Sequence, residues 1–162
     1  MALPSYNLLV IDDSKRDILL LERILRQAED AVFTLTHVES AQEGLEALGK
    51  HEYDLVLLDY YLPDMDGIAF LEEKQSRGLA APVIMLTAFG QERLPVAAMQ
   101  AGALDYFRKD EVNSSLLGKA IRQAIEKARL QADALADAAR LRELEATIAQ
   151  LQQQLQQQQQ NS

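Results

Sequence analysis

The sequence predicts an α/β fold: a doubly wound, five-stranded parallel sheet followed by a long α-helix. Three observations predict it. Five short apolar runs in the first two thirds of the chain alternate with amphipathic stretches. The central runs are apolar throughout, which marks strands covered on both faces. No glycine or proline follows Gly118, and Ala, Leu, Arg, Glu and Gln dominate from there, a composition that favours uninterrupted helix. Five strand–helix repeats suggest the order 2-1-3-4-5, in which ligands sit outside the carboxyl ends of the strands.

Each element follows from local residues. Residues 8–11 form the first strand. Ser14 caps a helix over 15–28, with Asp17 favourable in its first turn. Residues 33–38 form strand two. Ser40 and Glu43 have capping-box spacing and open a helix through Leu48. Residues 55–58 form strand three, 63–67 a loop, 68–77 a helix and 83–86 strand four. Pro95 suits the first turn of a helix that stops near Gly102. Residues 106–107 form a short fifth strand, and Asn113 or Ser114 caps the last helix.

Composition bounds the function. A chain of 162 residues can bury a sizeable core. The absence of cysteine excludes a disulfide framework and thiolate metal sites. With no signal-like N-terminus and no apolar run long enough to span a bilayer, a cytoplasmic location with no membrane partner is expected. Residues 1–112 hold 20 acidic and 10 basic side chains, and residues 113–162 hold 5 and 6. So acidic a body is a poor partner for phosphate backbones, and no nucleic-acid binding is expected.

Polar residues collect where the strands end. Asp12 and Asp13 follow strand one, Asp59 follows strand three, Thr87 ends strand four and Lys109 follows strand five. The topology brings strands one, three, four and five side by side, so these groups share one crevice. Adjacent carboxylates repel and resist losing water. Hard oxygens in that number suit Mg²⁺, and with Lys109 they could neutralise a phosphoryl group. Each residue alone has a plainer reading: a solvated turn, a capping residue, a satisfied hydroxyl, a surface ammonium. The coincidence is the signal. His37 and His51 lie away from the crevice and are read as structural or exposed.

The segments "LLVIDD", "VLLDYYLPDMDG", "VIMLTA" and "DYFRKD" fall in order, and the chain from residue 7 to about 128 resembles the receiver domain of bacterial two-component response regulators. The resemblance is to chemotaxis-regulator-like receivers of flavodoxin-like topology, carrying a C-terminal coiled-coil extension. It implies phosphotransfer from a histidine kinase or phosphotransfer protein onto Asp59. It also implies Mg²⁺ as cofactor, bound by Asp13, Asp59 and the backbone carbonyl of Tyr61, with Asp12 acting mostly through water. Thr87 and Lys109 would contact the phosphoryl group, with Lys109 paired to Asp59 beforehand. Tyr106 would be the switch aromatic that follows Thr87. Such a chain would catalyse only its own phosphorylation and dephosphorylation.

Two departures stand out. Asp110 follows Lys109 where the family usually has a cis proline. A non-proline cis bond costs roughly 3 kcal/mol, so a trans bond is expected there, with Asp110 adding a carboxylate near the site. Tyr61 and Phe89 are bulky where the family admits hydrolytic water, and a long-lived phosphoryl state is expected. Rival functions fit less well. A flavin site would need a Ser/Thr/Gly-rich phosphate loop in place of Asp12–Asp13. An aspartyl phosphatase would need a second Asp two residues after its nucleophile, and position 14 is serine. The alternative is a degenerate receiver that binds proteins without phosphorylation.

The tail carries a heptad seam, with Leu141, Ile148 and Leu155 at a and Leu144 and Leu151 at d. Run backward, it places Leu130 at d, Ala134 at a and Asp137 at d. Ile121, Ala124, Ala128, Leu135 and Ala138 follow another register, and the two meet near 138–141 as at a stammer. The expected organisation is a receiver over 1–127, a coiled-coil signalling helix over 128–158 forming a parallel homodimer, and a frayed 159–162. Stand-alone regulators of the family usually stop near residue 128. The extra helix therefore implies either dimerisation or a connection to an output domain.

Overall fold

The computed structural model describes residues 2–88 and 93–162. In chain order the elements are β1 (Ser5–Ile11), α1 (Lys15–Arg26), β2 (Val32–Val38), α2 (Ala41–Lys50), β3 (Leu55–Asp59), α3 (Gly67–Ser76), β4 (Val83–Thr87), α4 (Leu94–Gln100), β5 (Asp105–Arg108) and α5 (Ser114–Gln160). The sheet is parallel, in the order β2-β1-β3-β4-β5. Fold class and strand order are those the sequence predicts.

Alternation within the apolar strands divides two cores. Leu8 and Val10 of β1, Leu55 and Leu57 of β3, and Ile84 and Leu86 of β4 pack with Ile18, Leu21 and Leu25 of α1 and Leu117 and Ile121 of α5. Leu9, Ile11, Val56, Leu58, Val83 and Met85 point the other way, onto Leu45 of α2, Phe70 of α3 and Ala98 of α4. Both faces of the central strands are thus covered, which is why these strands read as unbroken apolar runs.

Caps set the helix starts. Ser14 Oγ accepts from the Asp17 N–H at 3.3 Å, and Ser40 Oγ accepts from the Glu43 N–H at 3.2 Å. Asn113 caps α5, its Oδ1 accepting from the Leu116 N–H at 2.9 Å. Asp66 caps α3 by accepting from the Ala69 N–H at 2.8 Å, so that helix begins at Gly67, one residue before the expected start. A Cβ on Gly67 would lie 2.9 Å from Met85 Cε and 3.1 Å from Tyr60 Cα. Only glycine lets α3 begin this close to β3 and β4. At the end of α4, Gly102 has φ +112°, which stops that helix where expected.

Several strands run longer than their apolar cores. β1 begins at Ser5 because Ser5, Tyr6 and Asn7 pair with Val32, Phe33 and Thr34 of β2. Backbone pairing does not require apolar side chains. The chain divides into two compact units, residues 1–126 and 127–162. Every buried apolar residue among those described belongs to the first. The second is helical to Gln160, with Leu141, Leu144, Ile148, Leu151 and Leu155 all exposed by 54–60%. No helix among the described residues is long and apolar enough to cross a membrane.

Candidate functional site

Strand register assembles the crevice. Ile11 pairs with Leu58, and Asp59 pairs with Leu86. The next residues, Asp12 after β1 and Thr87 on β4, therefore flank Asp59. Beyond β5, the Lys109 N–H donates to the Thr87 carbonyl at 2.8 Å, carrying β4–β5 pairing one step past Arg108. Two-residue parity then sorts the side chains. Asp12 and Asp59 continue the alternation of Val10 and Leu57, towards α1 and α5. Lys109 continues that of Phe107, on the same side. Thr87 and Tyr106 continue the opposite set, towards α2, α3 and α4.

The three carboxylates come together. Asp12, Asp13 and Asp59 each offer an oxygen, and these oxygens all lie within 4.8 Å of one another. Asp12 and Asp59 are buried, while Asp13 is exposed. Asp12 Oδ1 accepts from the Ser14 N–H at 2.9 Å, fixing the turn into α1. Lys109 Nζ donates to Asp12 Oδ2 at 2.6 Å and to Asp17 Oδ2 at 2.8 Å, and stands 3.5 Å from Asp59 Oδ2. Its shortest bonds are therefore to β1 and α1, not to the carboxylate with which the sequence pairs it.

The electrostatics follow from burial. Burial raises Asp59, and the neighbouring charges of Asp12 and Asp13 raise it further. Lys109 pulls it down, and the balance lies at about 7. Burial would lower Lys109, but the bonds to Asp12 and Asp17 outweigh it and hold the ammonium above its usual range. Burial opposes ionisation of Asp17 too. Its bond to Lys109 prevails and lowers it. Asp59 is thus a carboxyl that resists charging until a cation relieves the repulsion. Hard-oxygen donors clustered this closely fit a small divalent cation.

The remaining site residues are less central. Thr87 is fully buried at the end of β4. The Tyr106 hydroxyl is buried and has no hydrogen-bond partner among the described residues. Burial is also what raises its pKa. Tyr61 is half exposed and meets Tyr60 edge to face at 4.7 Å. Phe89 lies outside the described residues. No peptide bond among the described residues is cis, as expected for Lys109–Asp110. Asp110, expected near the site, is exposed and accepts from Arg108 Nη2 at 2.8 Å, and it is not one of the three clustered carboxylates. His37 and His51 are both exposed, and His51 packs edge-on against Tyr53.

Two carboxylates matter more than the sequence reading gave them credit for. Asp17, read there only as a favourable first-turn acid, grips Lys109. Asp64 accepts from the Ala41 and Gln42 N–H groups at 3.0 and 2.9 Å, clamping the β3–α3 loop to the start of α2. Asp64 carried no sequence signal, because its partners lie more than twenty residues away. For Asp17 the spacing from Ser14 put it on the first turn, but only the placement of Lys109 could reveal the bond.

Crevice and fold together define a receiver type of domain. Residues 8–122 match the response regulator receiver domain family, and the chain belongs to that family. It is 37% identical over 114 residues to the transcriptional activator protein PfeR of Pseudomonas aeruginosa, covering 67% of this chain and 34% of that one. It is 30% identical over 105 residues to the chemotaxis protein CheY of Bacillus subtilis, covering 65% and 86%. Among solved structures, the receiver domain of a LuxO repressor protein from Vibrio parahaemolyticus superposes with a TM-score of 0.69 at 26% identity, covering 78% and 95%. The chain spans about a third of the length of PfeR. PfeR is a transcriptional activator by name, so acidity alone does not support the expectation that nucleic acid is no partner.

Proposed function

We propose that Asp59 accepts a phosphoryl group from a phosphohistidine on a histidine kinase or phosphotransfer protein. The observation that carries this reading is the convergence of Asp12, Asp13 and Asp59 within 4.8 Å, beside the Lys109 ammonium. An Asp59 oxygen attacks phosphorus. The P–N bond to the donor imidazole breaks, and its electron pair stays on the nitrogen. Phosphoryl transfer is mainly positioning and charge stabilisation, and the residues divide that work. Thr87 donates its hydroxyl to a phosphoryl oxygen. Lys109 supplies positive charge on the opposite side. Tyr106 shares the Thr87 side of the sheet, and its rotamer follows that hydroxyl. Mg²⁺ held by Asp13, Asp59 and the Tyr61 carbonyl, with Asp12 through water, would neutralise charge on the transferring group. The chain in this reading acts on itself alone.

With Mg²⁺ and an acyl phosphate donor, wild type should gain one phosphoryl group by intact mass, and Asp59→Ala none. Equal labelling of the variant would discard the acceptor assignment. An unphosphorylated binding module would show no labelling of wild type. Tyr61 also shields the bond from water in this reading, so Tyr61→Asn should shorten the lifetime of the phosphorylated form.

The proposed readout is residues 128–158 as a parallel dimeric coiled coil. Its support is the exposed seam of Leu141, Leu144, Ile148, Leu151 and Leu155, since leaving several leucines in water is costly. Arg140 at g and Glu145 at the following e can pair across parallel chains, a contribution of at most a few tenths of a kcal/mol. Asp137 at d loosens the seam just above. Sedimentation should show dimeric wild type and monomeric Leu144→Asp. A truncation after Glu126 that dimerises as tightly as wild type would reject the tail as the interface. Ready cross-linking of Gln150→Cys would establish the parallel direction.

A further inference from the structure

Lys109 has three N–H groups and is claimed by three carboxylates. The two short bonds go to Asp12 at 2.6 Å and Asp17 at 2.8 Å, and Asp59 is left at 3.5 Å. Asp12 belongs to the cation cluster, but Asp17 does not. Asp17 sits in the first turn of α1, its backbone N–H capped by Ser14. A first-turn acid stabilises the helix dipole wherever it points. That role does not require the contact with Lys109, which joins residues 92 apart in sequence. Strand parity brings the ammonium to the α1 side, and Asp17 meets it there. A phosphoryl group on Asp59 would bring about −1.5 to −2 units of charge and compete for the same ammonium.

We infer that Asp17 is a positioning residue that holds Lys109 on the α1 side of the crevice and so weakens the grip of the site on a phosphoryl group at Asp59. The inference rests on Asp59 being the acceptor. In the unphosphorylated chain Asp17 shares Lys109 with Asp12 and so holds the ammonium 3.5 Å from Asp59, which leaves more negative charge at Asp59 for a cation. On phosphorylation the ammonium must exchange Asp17 for a phosphoryl oxygen. Asp17 thereby favours cation entry and opposes phosphoryl retention, two effects of opposite sign.

That opposition makes the test. Calorimetric titration of the full chain would measure the affinity for Mg²⁺ alone, then for beryllofluoride at saturating Mg²⁺. Asp17→Asn keeps the size of the side chain and the backbone N–H that Ser14 caps. It should weaken Mg²⁺ binding and tighten beryllofluoride binding, each by about fivefold, the scale of one net hydrogen bond. Asp17→Glu keeps the charge and should move both affinities back towards wild type. Loss of local structure would weaken both ligands together, and that result overturns the inference. So does an unchanged beryllofluoride affinity beside a wild type that binds it. A wild type that binds no beryllofluoride in Mg²⁺ overturns the phosphoryl reading, and the role of Asp17 falls with it.

Discussion

Ile121 and Ile148 stand in the same helix, α5, and have the same side chain. Ile121 is fully buried, against the sheet face that carries Leu8, Leu57 and Leu86, whereas Ile148 is 54% exposed. Residues 1–126 supply their own partner surfaces, two helical layers on one sheet. Residues 127–162 repeat aliphatic side chains at regular spacing with no sheet to receive them. Burial is therefore set by what the rest of the chain offers a side chain, not by its type. The exposed seam is the support for the dimer proposed above.

The largest expected effect separates the two isoleucines. Ile121→Ala should destabilise residues 1–126 by about 3 kcal/mol, the cost of lost burial plus a cavity. Thermal unfolding would measure it, and the loss should not depend on protein concentration. Ile148→Ala should leave that unfolding transition in place and instead raise the concentration needed to dimerise, read by sedimentation. Equal effects of the two variants on the same transition would break the contrast between the units.

A second effect concerns charge within the first unit. The folded pKa of Asp59, about 7, lies above the ordinary carboxylate value of 3.8. Between those values the folded chain holds a proton that the unfolded chain has released. Stability in the presence of chelator should therefore fall as pH rises through that window. Asp59→Asn removes the ionisation. Its gain should be absent near pH 4 and full above about pH 7, on the order of 2 kcal/mol. Denaturant melts of both proteins at pH 5 and pH 8 would check the sign. A gain that shrinks with rising pH would contradict the burial argument.

The smallest effect is at a cap. Asn113→Ala removes the acceptor for the Leu116 N–H and should cost about 1 kcal/mol. Because Asn113 and the buried start of α5 both lie in the first unit, its melt should register the loss while dimerisation changes little. A shift in the dimerisation constant without a shift in that melt would tie the cap to the tail instead.

Much of this was legible in the amino-acid sequence for local reasons. Unbroken apolar runs identify strands covered on both faces. Ser14 and Ser40 mark helix starts because capping acts over three residues. The carboxylates at the ends of β1 and β3 could be placed together because parallel order and register follow from the strand–helix repeat. Elements whose partners are distant in sequence were less legible. β1 starts before its apolar run because β2 lies alongside it. Asp64 and Asp17 look like ordinary surface acids until α2 and Lys109 are brought to them.

The sequence by itself determined the fold class, the strand order, the three clustered carboxylates and the heptad seam, since each rests on short-range patterning and one topological rule. Only the tertiary structure decided how Lys109 divides itself among Asp12, Asp17 and Asp59, that Asp110 pairs with Arg108, and that the Tyr106 hydroxyl is buried without a hydrogen-bond partner among the described residues. Those outcomes depend on differences of about one ångström between side chains from separate elements. Coulombic and hydrogen-bond energies change steeply over that distance, and no periodicity along the chain encodes it.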